Sequence, residues 1–204
     1  MTLRVADLLE RNRLWAEATS QRDPEFFVRL ARQQSPKFLW IGCSDSRVPA
    51  TQITDLDPGE MFVHRNVANI VSPTDLNLLA VVQFALDVLG VGDVIVCGHH
   101  GCGGVEAVLD GRRAGLVDHW LHEVDEVREE IADELARLPD RARRSARLAE
   151  ANVAAQVAKL CRTQVVRDAW TAGRSLAVHG WIYDIADGRL RDLGVTRTGR
   201  PKTP

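Results

Sequence analysis

The side chains in this sequence best suited to chemistry are a lone cysteine, Cys43, and a short run, His99-His100-Gly101-Cys102. Thiolate and imidazole are the donors zinc takes in tetrahedral geometry. Three protein ligands leave the fourth position to water, which marks a catalytic rather than a structural centre. Cys43 with His99-x-x-Cys102 supplies such a set. On spacing alone either adjacent histidine can serve, and Cys43 and Cys102 read as readily as small buried core residues. No Cys-x-x-Cys pair occurs, which argues against a zinc-finger module. Just past Cys43, in Cys43-Ser44-Asp45-Ser46-Arg47, stand a carboxylate and a guanidinium. Asp45 can reach a metal, accept a hydrogen bond from water on it, or pair with Arg47, which grips carboxylates bidentately and stays protonated. Gly98, Gly101, Gly103 and Gly104 let the backbone fold tightly around an ion.

The elements that must position these groups are legible in outline. Lys37 to Cys43 is a short apolar run bounded by Pro36 and a polar turn, and it reads as a buried strand ending at Cys43. Glu60 to His64, Asp93 to Gly98 and Ser175 to Tyr183 read as further strands, and Arg189 to Val195 as a fifth. Helices are expected over 3–20, from Pro24 to about Gln34, over 72–89, 117–135 and 140–172. Ser72-Pro73-Thr74-Asp75 is a helix start, with Ser72 as cap, Pro73 in the first turn and Asp75 at the positive end of the dipole. Strands alternating with helices predict an α/β fold, a mainly parallel central sheet flanked by helices, with an N-terminal helical arm. Ligands on such sheets gather at the carboxyl ends of the strands. If the strands ending at Cys43 and His99 are neighbours, the candidate ligands converge there.

Composition narrows the class. With 204 residues and 45% hydrophobic content the chain can bury one good core and does not demand two domains. The expectation is a single domain over 1–204, with 1–35 as a helical arm and 196–204 as a disordered tail. A formal charge of −2 gives no basic surface for nucleic acid. Arg141, Arg143, Arg144 and Arg147 read as a solvated helix face. No run approaches the roughly 20 apolar residues of a membrane span, and the first residues lack a signal peptide's apolar core. A cytoplasmic location is expected, where cysteines serve as ligands, small hydrophobes or catalytic groups rather than in disulfides.

Three segments taken together are more specific: Cys43-Ser44-Asp45-Ser46-Arg47-Val48-Pro49, His64-Arg65-Asn66-Val67-Ala68-Asn69, and Cys97-Gly98-His99-His100-Gly101-Cys102-Gly103-Gly104. They closely resemble the β-class carbonic anhydrases. The similarity runs from about Phe38 to Cys102 and resumes at Asn152-Val153 and His179-Gly180-Trp181-Ile182-Tyr183-Asp184. The resemblance implies one Zn²⁺ per chain on Cys43, His99 and Cys102, with Asp45 and Arg47 as the dyad beside it. It implies reversible hydration of carbon dioxide to bicarbonate and a proton, and a homodimer or homotetramer. It is similar to a subgroup in which the aspartate swings onto zinc, as a fourth ligand, in response to pH and bicarbonate. In that subgroup the residues matching Trp40, Arg65 and Tyr183 form a bicarbonate pocket. Gln34 matches a position that donates a hydrogen bond in the active site across a dimer interface. Because carbon dioxide is apolar, Val48 and Val67 are candidates for its pocket. His100 stands where relatives often carry a small polar or aromatic residue. The competing readings are a hydrolase of carbon disulfide or carbonyl sulfide on the same scaffold and a non-catalytic zinc protein with Asp45 permanently ligated.

Overall fold

The computed structural model describes residues 4–32, 34–112 and 115–199. The chain divides into two compact units, residues 1–35 and 36–204. The first holds helices α1 (Val5–Arg22) and α2 (Phe26–Arg32), with the Trp15 ring packed edge-on against Phe27 at 5.6 Å.

The second unit is built on one sheet. Its strands are β1 (Phe38–Cys43), β2 (Met61–Asn66), β3 (Asp93–His99), β4 (Ala177–Asp184), β5 (Arg189–Asp192) and β6 (Arg197–Thr198). The order is β2-β1-β3-β4-β5, with β6 also on β4. The pairs β1–β2, β1–β3 and β3–β4 are parallel, while β5 and β6 run antiparallel to β4. Strands β1 and β3 are apolar nearly throughout and buried on both faces, as parallel strands covered by helices must be. Leu39, Ile41, Val94, Val96, Val178 and Ile182 turn into the larger core. Trp40, Ile95, Cys97 and Tyr183 turn to the opposite face, where Val48, Ala50 and Met61 complete a smaller cluster. Gly42 is required beneath Trp40, since a Cβ there would meet the indole Nε1 at 2.2 Å.

Helices α3 (Ala50–Ile53), α4 (Leu76–Gln83), α5 (Gly103–Leu109), α6 (Leu116–Glu130), α7 (Ala132–Arg137), α8 (Arg141–Arg162) and α9 (Gln164–Thr171) complete the unit, and α8 packs across β3 and β4. Several expected boundaries move. The cap of α4 is Asp75, not Ser72: its Oδ1 accepts from the Asn77 and Leu78 amides at 3.0 and 3.3 Å. The stretch expected as one helix over 140–172 breaks at Thr163, whose hydroxyl donates to the Leu160 carbonyl at 2.7 Å while its own backbone is extended. The stretch expected over 117–135 is α6 and α7, joined at Ile131. The 196–204 segment is corrected in part. Arg197 and Thr198 pair with Val178 and Ala177, so the chain there is ordered by backbone hydrogen bonds. Residues 200–204 lie outside the described residues.

Candidate metal centre

Strands β1 and β3 are neighbours, with Gly42 opposite Cys97, so both end at the same edge of the sheet. Strand β2 lies on one side of β1 and β3 on the other, so the chain reverses its winding there. That crevice, at the strands' carboxyl ends, is the place where open α/β sheets bind ligands. Cys43 ends β1, His99 ends β3, and Cys102 sits three residues on, immediately before α5. The ligand atoms of Cys43, His99 and Cys102 all lie within 4.8 Å of one another, and all three residues are buried. Gly101, with φ of 68°, makes the sharp turn that brings Cys102 back toward His99.

The donor chemistry of this cluster suits a metal. The His99 Nδ1 lies 3.0 Å from the His100 carbonyl oxygen, which can only accept. The ring proton is therefore on Nδ1, and Nε2 keeps its lone pair. That Nε2 is buried and has no hydrogen-bond partner among the described residues. An orphaned buried acceptor is costly unless something outside the chain fills its lone pair. The two sulfurs are 3.8 Å apart. Without a cation they share a proton. The Cys43 thiol is lowered, chiefly because Cys102 donates to it, and further by the backbone N–H groups of Asp45 and Ala68. Cys102 is raised by holding that proton for Cys43 and by burial. A divalent cation held by Cys43, His99 and Cys102 would take the place of that proton and satisfy both sulfurs and the imidazole.

Asp45 and Arg47 form the second layer. The Arg47 Nε and Nη2 donate to Asp45 Oδ1 and Oδ2 at 2.9 and 2.7 Å, and the Arg47 amide adds a third bond to Oδ1 at 2.9 Å. The guanidinium also donates to the Gly101 carbonyl at 3.2 Å, which ties the Asp45 loop to the loop carrying His99 and Cys102. Arg47, first, and its own amide hold the Asp45 carboxyl well below the usual carboxylate range. From this position Asp45 Oδ2 is 3.7 Å from the free His99 Nε2. The carboxylate thus stands beside the ligand cluster while gripped by arginine.

The remaining candidate residues fall in different places. Trp40 and Tyr183 are both buried and share the smaller cluster. Register puts Arg65 opposite Gly42, on the same sheet face. Arg65 donates from Nε to the Cys43 carbonyl at 2.8 Å and from Nη2 to the Asp45 carbonyl at 2.5 Å. Among the described residues, no hydrogen bond joins Trp40, Arg65 and Tyr183. Val48 is buried with Trp40. Val67 is 38% exposed and lines a groove of about 1030 Å³ with Arg65, Asn66 and Trp120. Gln34 is exposed and belongs to the first unit. The His100 ring sits between Glu150 at 3.3 Å and Asp184 at 3.6 Å.

Sequence reasoning missed the backbone groups. Backbone N–H groups favour the thiolate forms, those of Asp45 and Ala68 at Cys43 and those of Val105 and Gly104, at the start of α5, at Cys102. Peptide groups leave no residue-type signature, so only the turn glycines hinted at them.

Comparison with known proteins agrees with this geometry. A family profile described as carbonic anhydrase matches residues 38–190. A carbonic anhydrase of Emericella nidulans is 42% identical over 94% of this chain and 84% of its own length. One from Pseudomonas aeruginosa is also 42% identical, over 83% and 78%. Among solved structures, a tetrameric β-carbonic anhydrase of Sordaria macrospora superimposes with a TM-score of 0.90 at 44% identity, covering 94% of this chain and 98% of that one. A Coccomyxa β-carbonic anhydrase in complex with acetazolamide gives 0.90 at 38%, covering 97% and 90%.

Proposed function

Since this chain belongs to the β-class carbonic anhydrases, we propose that it hydrates carbon dioxide reversibly on one Zn²⁺ held by Cys43, His99 and Cys102. The observation that carries the reading is the buried, unpartnered His99 Nε2 facing two sulfurs, with the Asp45 carboxylate beside them. Bound there, zinc supplies the Lewis acidity that makes water a nucleophile near neutral pH.

The chain's own residues do the rest. His99 is fixed in ring orientation by the His100 carbonyl, so its lone pair needs no reorganisation. The two thiolates balance the cation's formal charge, which makes the site less acidifying than one of three histidines. Asp45, ionised and gripped by Arg47, accepts the hydrogen bond of the attacking water at its carboxylate and so sets the direction of the oxygen lone pair. Arg47 also keeps Asp45 from leaving that position. Water adds to the carbon of carbon dioxide, one proton departs to solvent, and bicarbonate leaves. The apolar substrate gains from walls such as Val67, which is half-exposed on the neighbouring groove.

Closure of the site by Asp45 is the finer part of the reading. Its support is reach: Oδ2 stands 3.7 Å from His99 Nε2, so a small rotation away from Arg47 puts the carboxylate among the ligand atoms. Low pH and bicarbonate would favour that rotation, with Trp40, Arg65 and Tyr183 holding the bicarbonate. Their common sheet face supports this, but Arg65 must first give up at least one of its two carbonyls. The protein is further proposed to act as a cytoplasmic homodimer or homotetramer. No helix among the described residues is long and apolar enough to cross a membrane.

Stopped-flow carbon dioxide hydration by the zinc-loaded protein from pH 6.5 to 9, with and without bicarbonate, tests both levels. Activity that rises with pH and falls with bicarbonate supports enzyme and closure. Activity insensitive to both keeps the enzyme and refutes closure. One zinc per chain with no hydration refutes the reaction.

A further inference from the structure

The carbonyl that fixes the His99 ring belongs to a peptide with little around it. That peptide joins His100 to Gly101, which is in left-handed conformation. A Cβ built on Gly101 would meet no atom within 4 Å, so no neighbour packs there to limit the turn. Glycine leaves such a peptide more freedom than any other residue. Arg47 holds the far side of the turn, donating to the Gly101 carbonyl at 3.2 Å. The near side is held by His100. Its amide donates to the Tyr183 carbonyl at 2.9 Å. Its ring Nε2 lies 3.3 Å from Glu150 Oε1 on α8, and its Nδ1 lies 3.6 Å from Asp184 Oδ2 at the end of β4.

Burial does not force this arrangement. The His100 side chain is 24% exposed and those of Glu150 and Asp184 are 33% and 26% exposed, so each could turn to water. Two carboxylates brought to one imidazole also repel each other unless the group between them donates. An ionised carboxylate can only accept, so the ring nitrogen facing Glu150 is the donor. Asp184 is fixed in its turn: Oδ1 accepts the Ala186 amide at 2.9 Å, and Oδ2 lies 3.6 Å from Arg191 Nη1. Consecutive residues of β4 thus take the His100 amide and face its ring, while α8 takes the ring at its other nitrogen.

We propose that Glu150 and Asp184 are positioning residues for the zinc centre, tethering the His100 ring so that the His100 carbonyl stays on His99 Nδ1 and Nε2 stays turned to the metal. Neither carboxylate touches a ligand atom; each acts through His100. The carbonyl is the partner that sets the ring orientation of a metal-bound histidine. An imidazole fixed beforehand loses little freedom on taking a cation, whereas one free to rotate must first be ordered, and binding weakens by that cost. Loosening the tether therefore lowers zinc affinity. The inference rests on the reading of His99 as a zinc ligand.

The test measures zinc affinity of the full chain at one pH, by equilibrium competition with graded EDTA and atomic emission after desalting. His100→Ala removes the ring and leaves the carbonyl, while Glu150→Ala and Asp184→Ala each remove one end of the tether. Each should weaken zinc binding roughly tenfold, the lower end of the range for partners of metal ligands, because the carbonyl is loosened and not deleted. Glu150→Gln, whose amide oxygen still accepts from the ring, should stay within about threefold of wild type. In a His100→Ala background neither Glu150→Ala nor Asp184→Ala should weaken zinc further, since there is no ring left to hold. A merely structural role for either carboxylate would cost the same in both backgrounds. Alanine variants that bind zinc as the wild type does, Glu150→Gln failing as Glu150→Ala does, or losses that add to that of His100→Ala overturn the proposal. Should His100→Ala fail to fold, the contrast between Glu150→Ala and Glu150→Gln decides. Wild-type protein that takes up no zinc overturns the zinc reading itself, a different result from a wild type that binds zinc beside unaltered variants.

Discussion

Gly98 immediately precedes His99, and helix α8 presses directly upon it. A Cβ built there would stand 2.6 Å from Val153 Cγ2 and 3.3 Å from Ile182 Cδ1. The first distance is far inside contact, and both side chains are fully buried, so neither can swing into solvent. Overpacking of this kind costs typically 1–3 kcal/mol, which in a chain of this size lowers the thermal midpoint by about 2–4 °C for each kcal/mol. Gly98→Ala is therefore expected to lose between about 2 and 12 °C. Val153→Ala alone removes two buried carbons and should cost about 2 kcal/mol from lost burial and the cavity left behind. Combining them removes the clash, because the new methyl occupies space that Val153 Cγ2 vacated. The double variant should be no less stable than Val153→Ala by itself, a coupling of about 1–3 kcal/mol in the stabilising sense. Calorimetric thermal unfolding of the four metal-free proteins measures the cycle. If the two losses simply add, steric contact between α8 and β3 is not what requires glycine at 98.

Other perturbations bear on the centre itself. His99→Ala should abolish stoichiometric zinc binding, measured by atomic emission after dialysis, because two sulfurs alone make a poor site. Arg47→Met should retain zinc and lose about 100-fold or more in hydration rate, in line with loss of a positioned proton acceptor; rates within threefold of wild type would refute the dyad. The Asp45 carboxyl is depressed by Arg47, so its contribution to folding is present above the ordinary carboxylate value near pH 4 and is lost as pH falls below it. Metal-free Arg47→Met should accordingly show a flatter fall of thermal midpoint with acid than metal-free wild type, and equal slopes would contradict this. Stripping zinc with a chelator should lower the thermal midpoint of the wild type and not that of His99→Ala, since binding only the folded state stabilises it.

The local chemistry was legible in the chain because it depends on residue type and short spacing. An apolar run ending in Cys43, a second ending at His99, and a carboxylate two residues from a candidate ligand are all local facts, and so is the alternation of strand and helix that implies a parallel sheet. The motif resemblance chose His99 over His100; in the structure the His99 Nδ1 bond to the His100 carbonyl leaves Nε2 facing the two sulfurs. What local patterns could not reach were competitions among nearby groups and meetings between distant ones. Ser72 and Asp75 are both sound caps, and only the path of the chain gave the role to Asp75. Thr163 is an ordinary helix residue by propensity until its hydroxyl takes the Leu160 carbonyl. The pairing of Arg197 and Thr198 with β4 joins segments some twenty residues apart and has no apolar signal of its own. Asn152 and Gln156 look like polar interruptions of an amphipathic helix; folding turns them to the Ala68–Val71 backbone, more than eighty residues earlier in the chain. Peptide N–H and C=O groups are identical at every residue, so which of them surround the two sulfurs is decided by tertiary packing alone.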